Sequence, residues 1–159
     1  MQLLQKIERI NEKLTLIMPE LIAYGVSFLL KRNDNETVPA IHIENGTHEI
    51  LLPDTSKKEY SFWEIQKIEI PKEKRMIGTA YCSIIWWGRF QIEDSGYLSE
   101  YYEKMGNFTS ILRDFEADNI NIQLEKTFEK YSLFHTEKQL FLFPYMSMKI
   151  DFSLKFLDC

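Results

Sequence analysis

A chain of 159 residues and 19.0 kDa is the size of one domain, and 45% hydrophobic with 27% charged residues is a composition that folds instead of staying disordered. A net charge of −5 and a pI near 5.3 argue against nucleic acid and anionic membrane as partners, because neither brings the positive charge that an acidic surface needs. No apolar run approaches the roughly 20 residues that span a bilayer, and the charged, amphipathic stretch MQLLQKIERINEKL is not the apolar core of a signal peptide.

Leu3, Ile7, Ile10, Leu14 and Ile17 recur at steps of four and three, the period of one helical face, with Lys6, Glu8, Arg9, Glu12 and Lys13 between them. This predicts a core-packing helix over about 2–17, stopped by Pro19. Residues 21–30 are rich in strand formers and read as one strand, closed by the polar turn at 32–35. A second strand at 38–43 runs into Asn45-Gly46, a tight-turn signal, with 48–52 as the returning arm of a hairpin. Residues 53–59 read as loop, 60–70 as an ambiguous strand and 71–75 as a charged, solvated tip.

Residues 76–92 form the strongest strand pattern. Tyr81, Ser83, Ile85, Trp87 and Arg89 point one way, and Ala80, Cys82, Ile84, Trp86 and Phe90 the other. Both faces are largely apolar, so this strand belongs at the centre, covered on both sides. Tyr101, Met105, Phe108, Ile111, Leu112 and Phe115 return to helical spacing over about 98–117. Two further strand-like stretches follow at 120–134 and 139–157. The expected fold is therefore α+β: an N-terminal helix, a mainly antiparallel sheet with one further helix packed on it, and a long C-terminal hairpin, in a single domain over 1–159.

Candidate chemistry is sparse. Cys82 and Cys159 cannot build a disulfide framework and read as a buried strand thiol and a tail thiol of a reducing compartment. The Asn-x-Thr triplets at Asn35, Asn45 and Asn107 read as chance matches. His42 and His48 flank a turn and His135 sits near a hairpin tip, without other ligands at metal-binding spacing. The carboxylate pairs Glu64/Glu69 and Glu93/Asp94 lie among lysines and read as solvated charge. No nucleotide-loop, metalloprotease or nucleophile-elbow motif is present. The expectation is no catalytic residue, no cofactor and no metal.

The aromatic residues stand out instead. Adjacent Trp86 and Trp87 must place one indole on each face of their strand, with Tyr97, Tyr101 and Tyr102 crowding the start of the second helix. Two helices cover both faces of a sheet with difficulty, so a neighbouring subunit is expected to cover one of them, a role that suits Trp and Tyr.

The order of elements resembles the tail-terminator, or tail-completion, proteins of long-tailed bacteriophages and related contractile injection systems. The matching stretches are LLQKIERINEKLTLIMPEL (3–21), VPAIHIE (38–44), TAYCSIIWWGRF (79–90), LSEYYEKMGNFTSILRDF (98–115) and LFPYMSMKIDFSLKFL, ending at 157. The resemblance implies a structural subunit that forms a homo-oligomeric ring, usually a hexamer, at the neck of the tail. There it caps the tube and meets tube, sheath or connector proteins, without specific nucleic-acid or membrane binding. It implies a place in the virion after assembly in the bacterial host cytoplasm. On that reading the subunit interface draws on Trp86, Trp87, Tyr101, Tyr102, Phe152 and Phe156, and the 53–75 loop reaches the next ring, the tube or the sheath. The alternative is a small acidic immunity or adaptor protein that binds one protein partner. An enzyme using His42 or His48 ranks last.

Overall fold

The computed structural model describes residues 1–32, 36–51, 56–72, 77–89, 97–124, 127–128, 130–131 and 145–157. Helix α1 spans Leu3–Ile17 and buries Leu3, Ile7, Ile10 and Leu14, the stripe read from the spacing, while Ile17 stays open to solvent. The Gln2 amide donates to Gln5 Oε1 at 3.2 Å, satisfying a backbone group at the start of the helix. Pro19 follows its last turn, as expected.

The strands are β1 (Leu21–Val26), β2 (Phe28–Lys31), β3 (Thr37–His42), β4 (His48–Ile50), β5 (Glu59–Glu69), β6 (Ile77–Arg89), β7 (Asp118–Gln123) and β8 (Tyr145–Leu157), with helix α2 (Tyr97–Asp114) between β6 and β7. The fold is α+β. Five strands make one sheet in the order β1-β5-β6-β8-β7, and three make a second in the order β2-β3-β4. Among the described residues only the β1–β5 pairing is parallel; the other pairings are antiparallel.

Two expectations need correction. Residues 21–30 are not one strand: the chain leaves the large sheet after Val26 and enters the small one at Phe28. Ser27 marks the change, its amide and its hydroxyl both donating to the Trp63 carbonyl, at 2.8 and 2.9 Å. The stretch 120–134 is not a strand throughout either. Strand β7 ends at Gln123, and Phe128 and Tyr131 turn into the core instead. The Asn45-Gly46 turn is confirmed: both residues take the left-handed backbone (φ 67° and 72°) that Gly and Asn tolerate, and β3 pairs with β4 across it. The ambiguous segment 60–70 is a strand of 11 residues, with its register shifted between Ile65 and Lys67.

β6 is central, between β5 and β8, and its alternation is as read from the sequence. The face carrying Ala80, Cys82, Ile84 and Trp86 packs under the two helices with Ile10, Leu14, Phe108 and Leu112. The face carrying Ile85 and Trp87 packs with Tyr60, Phe62, Val38, Leu51, Phe128 and Tyr131. The second layer over the large sheet is thus the three-stranded sheet together with the segment after β7. That layer was not foreseen, and it removes the need for a neighbour to cover this part of the sheet. Ile84 and Ile85 are both fully buried, as are Phe108 and Leu112. Gly88 is also fixed by packing: a Cβ there would come within 2.5 Å of Trp86 Cζ2.

Cys82 lies inside the helix-side core, and burial pushes its thiol up to about 12, far above the range in which a thiolate forms at neutral pH. The native protein is therefore expected to resist a thiol reagent at Cys82 and to become modified there on unfolding. Peptide mapping after labelling in buffer and in denaturant checks this; rapid native labelling at Cys82 would mean that the core opens readily.

Candidate functional site

The six aromatic residues read as interface anchors mostly turn inward. Trp86 donates from Nε1 to Glu59 Oε1 at 3.3 Å and lies 6.0 Å from the Tyr101 ring. The Tyr101 hydroxyl donates to the Ser147 carbonyl at 2.6 Å, and burial pushes it up to about 12. Trp87 sits between Tyr60 and Tyr145, with ring centroids at 5.4 and 5.2 Å. Phe152 meets Trp63 edge-on at 5.4 Å, and Phe156 covers Gly78. All five are buried by this chain's own residues, whereas Tyr102 is 65% exposed. Of the six, Tyr102 alone is exposed.

The histidines do not gather a ligand set. His42 and His48 oppose each other across the β3–β4 ladder, but Phe28 stacks on His42 at 4.2 Å and meets His48 edge-on at 6.3 Å. His135 lies outside the described residues, as do Glu93 and Asp94. Among the described residues no group of three or more His, Cys, Asp and Glu side chains is placed to hold a metal ion.

Two glutamates on β5 were not legible as buried. Glu59 accepts from Lys104 of α2 through both carboxylate oxygens, at 3.1 and 2.8 Å, which ties the helix to the sheet. Glu64, read as solvated, is buried under the second layer: the Tyr131 hydroxyl donates to its Oε1 at 2.5 Å, and Lys130 stands 3.8 Å from Oε2. Its pair member Glu69 is exposed, as expected, and bridged to Lys67 at 2.6 Å. Burial, reinforced by the Glu64 carboxylate, raises the Tyr131 hydroxyl well above the ordinary tyrosine range, so it remains a donor at any pH at which the protein folds. Removing that donor leaves a buried carboxylate short of a hydrogen bond. Tyr131→Phe is expected to cost about 1–3 kcal/mol in urea unfolding. A change below about half a kcal/mol would mean that water satisfies Glu64.

A third polar group crosses the large sheet on the face away from the helices. Gln66 donates to the Ser83 hydroxyl at 2.6 Å, Ser83 to Asp151, and Gln123 to Asp151, joining β5, β6, β8 and β7. This satisfied row holds neighbouring strands in register.

The remaining surface features flank α1: along its side a depression of about 790 Å³ is lined by Leu4, Glu8, Asn11, Glu12, Val26 and His42, among others, and two more lie at its ends. At its N-terminal end Leu3, Leu4, Ile68, Ile70, Phe156 and Leu157 line a depression of about 250 Å³. Leu4, Ile68, Ile70 and Leu157 are exposed there, and Ile77, paired with Leu157, is exposed beside them. Lys6, whose ammonium donates to the Lys155 carbonyl at 2.9 Å, joins Lys67, Lys72 and Lys155 around this end, where Glu69 and Glu8 are carboxylates among the described residues. At the C-terminal end a groove of about 470 Å³ between the helices is lined by Ile17, Met18, Glu20, Glu100, Glu103 and Lys104, among others. Leu16 and Ile17 are exposed beside it. One end is apolar and lysine-bordered, the other apolar and glutamate-lined. Comparison with family models, with curated proteins and with solved structures finds no match to this chain. Among the described residues no helix is long and apolar enough to cross a membrane.

Proposed function

We propose that this protein is a structural subunit of a phage or phage-like tail, working as a ring at the neck or tail-terminator position through contacts between proteins and without ligand chemistry. The observation that carries this reading is where the apolar surface lies. Leu4, Ile68, Ile70, Ile77 and Leu157 are open together at one end of the molecule, on a chain whose two sheet faces are otherwise largely packed. Exposed apolar side chains gathered in this way mark a protein interface. The order of helix, strands, long central strand, helix and closing strands is the order that resembles the tail terminators. The acidic balance of the chain suits a ring through which a genome slides without sticking.

A second reading, an acidic immunity or adaptor protein with one protein partner, is favoured by the enclosure of Trp86 and Trp87 within a single chain. Native mass and negative-stain images separate the two. A closed oligomer, alone or on tail tubes, is expected for the ring subunit. A particle that stays monomeric in both settings would overturn the ring reading in favour of the second.

A further inference from the structure

The two ends of α1 differ in a way that matches one against the other. The helix has 15 residues, which at about 1.5 Å per residue separates its ends by roughly 22 Å. The large sheet runs with it: Ile77 and Leu157 lie at the lysine-bordered end, and Glu59, paired with Gly88, lies at the glutamate-lined end. At the first end four lysines, Lys6, Lys67, Lys72 and Lys155, stand against Glu69, which bridges Lys67, and Glu8, which lines a depression with Leu4. At the other end Glu20, Glu100, Glu103 and the buried Glu59 stand against Lys104, which Glu59 holds, and Lys58, which bridges Glu20, so that Glu100 and Glu103 carry the excess charge. Each end carries its own apolar centre, Leu4 with Ile68 and Ile70 at one and Leu16 with Ile17 at the other.

Two surfaces of one chain with opposite charge and apolar centres make a head-to-tail contact between identical copies. Such a contact uses different patches on the two partners, and repeating it closes a ring when the rotation allows. Like meeting like would bring lysines against lysines or glutamates against glutamates, and charge repulsion disfavours both.

We propose that the lysine-bordered apolar end of one copy seats on the glutamate-lined groove of the next, so that the subunit interface joins the two ends of α1 and not the tryptophan strand. The proposal rests on the ring reading, whose subunit contacts it names. Charged borders set orientation and on-rate, and the apolar centres hold the contact, so assembly is expected to weaken as salt rises without vanishing.

The test uses the full chain and two pairs of charge reversals, Lys6→Glu with Lys155→Glu and Glu100→Lys with Glu103→Lys, each checked for an unchanged melting temperature. Each pair alone is expected to weaken self-association at least tenfold in sedimentation or native mass measurements. Mixed one to one, the two variants are expected to recover assembly with alternating copies, because the reversed end of one is complementary to the reversed groove of the other and the two native ends still match. All four reversals in one chain are expected to restore the wild-type assembly. Should the reversal at Lys6 disturb its bond to Lys155, Leu4→Gln and Ile17→Gln, at exposed positions, provide the same comparison. If wild type assembles and the variants assemble equally well, the head-to-tail contact is overturned while the ring reading stands. If wild type stays monomeric, alone and on tail tubes, both are overturned.

Discussion

Replacing Trp87 with alanine is expected to lower the unfolding free energy by about 3–5 kcal/mol, the range for emptying a large aromatic site in a core that cannot collapse around the gap. The site is fully buried between the two sheets, and the indole is flanked by Tyr60 and Tyr145. For a domain of ordinary stability, about 5–15 kcal/mol, this is a large fraction of the whole. Urea unfolding followed by circular dichroism measures it. The same variant distinguishes two roles for the residue. A tryptophan at a subunit contact would leave the monomer's stability unchanged and abolish assembly, whereas Trp87 is expected to act on folding. A loss below about 1 kcal/mol would show that the two-sheet core is not closed as described.

Replacing Lys104 with methionine is expected to cost about 3–5 kcal/mol, because it strands the Glu59 carboxylate between α2 and β5 with its positive partner gone. The Trp86 indole would remain as a neutral donor to Glu59 Oε1, too little to offset a buried charge. The double variant Glu59→Gln with Lys104→Met removes the charge as well as its partner and is expected to recover most of the loss. The double-mutant cycle is the decisive measurement. If the single variant falls within about 1 kcal/mol of wild type, water reaches Glu59 and the pair is not a buried one.

The local periods in this sequence translate directly into structure. The α1 stripe, the alternation along β6 and the Asn45-Gly46 turn were all legible, because each is dictated by backbone geometry over a few residues. What lay beyond reach depends on contacts distant in sequence. Residues 21–30 look like one strand because every side chain suits one; only the Trp63 carbonyl, which Ser27 reaches, shows where the chain changes sheet. Glu59 read as part of a loop and Glu64 as solvated charge among lysines, yet their partners Lys104 and Tyr131 lie 45 and 67 residues away. The aromatic residues were singled out as interface anchors, and five of the six are buried within the chain. Their direction could not be read, because the three-stranded sheet that covers Trp87 has no marker in the pattern around it. The open surface at Leu4 has a partial signal, since Leu4 falls off the buried stripe beside Leu3.

The long-range character of the packing also sets a timetable for synthesis. Helix α1 leaves the ribosome well before β8, but its buried stripe shares a core with Met148, Ile150, Phe152 and Leu154 of that strand, and Lys6 bonds the Lys155 carbonyl. About 130 residues separate the two elements. At translation rates of roughly 5–20 residues per second, the helix waits on the order of 6–26 s for the strand that completes its burial. β1 meets a shorter delay, because its parallel partner β5 follows only after β2, β3 and β4. The α1 stripe therefore stays incompletely covered until β8 emerges, and a chain stalled before that strand is expected to engage chaperones and proteases instead of forming a smaller version of the fold.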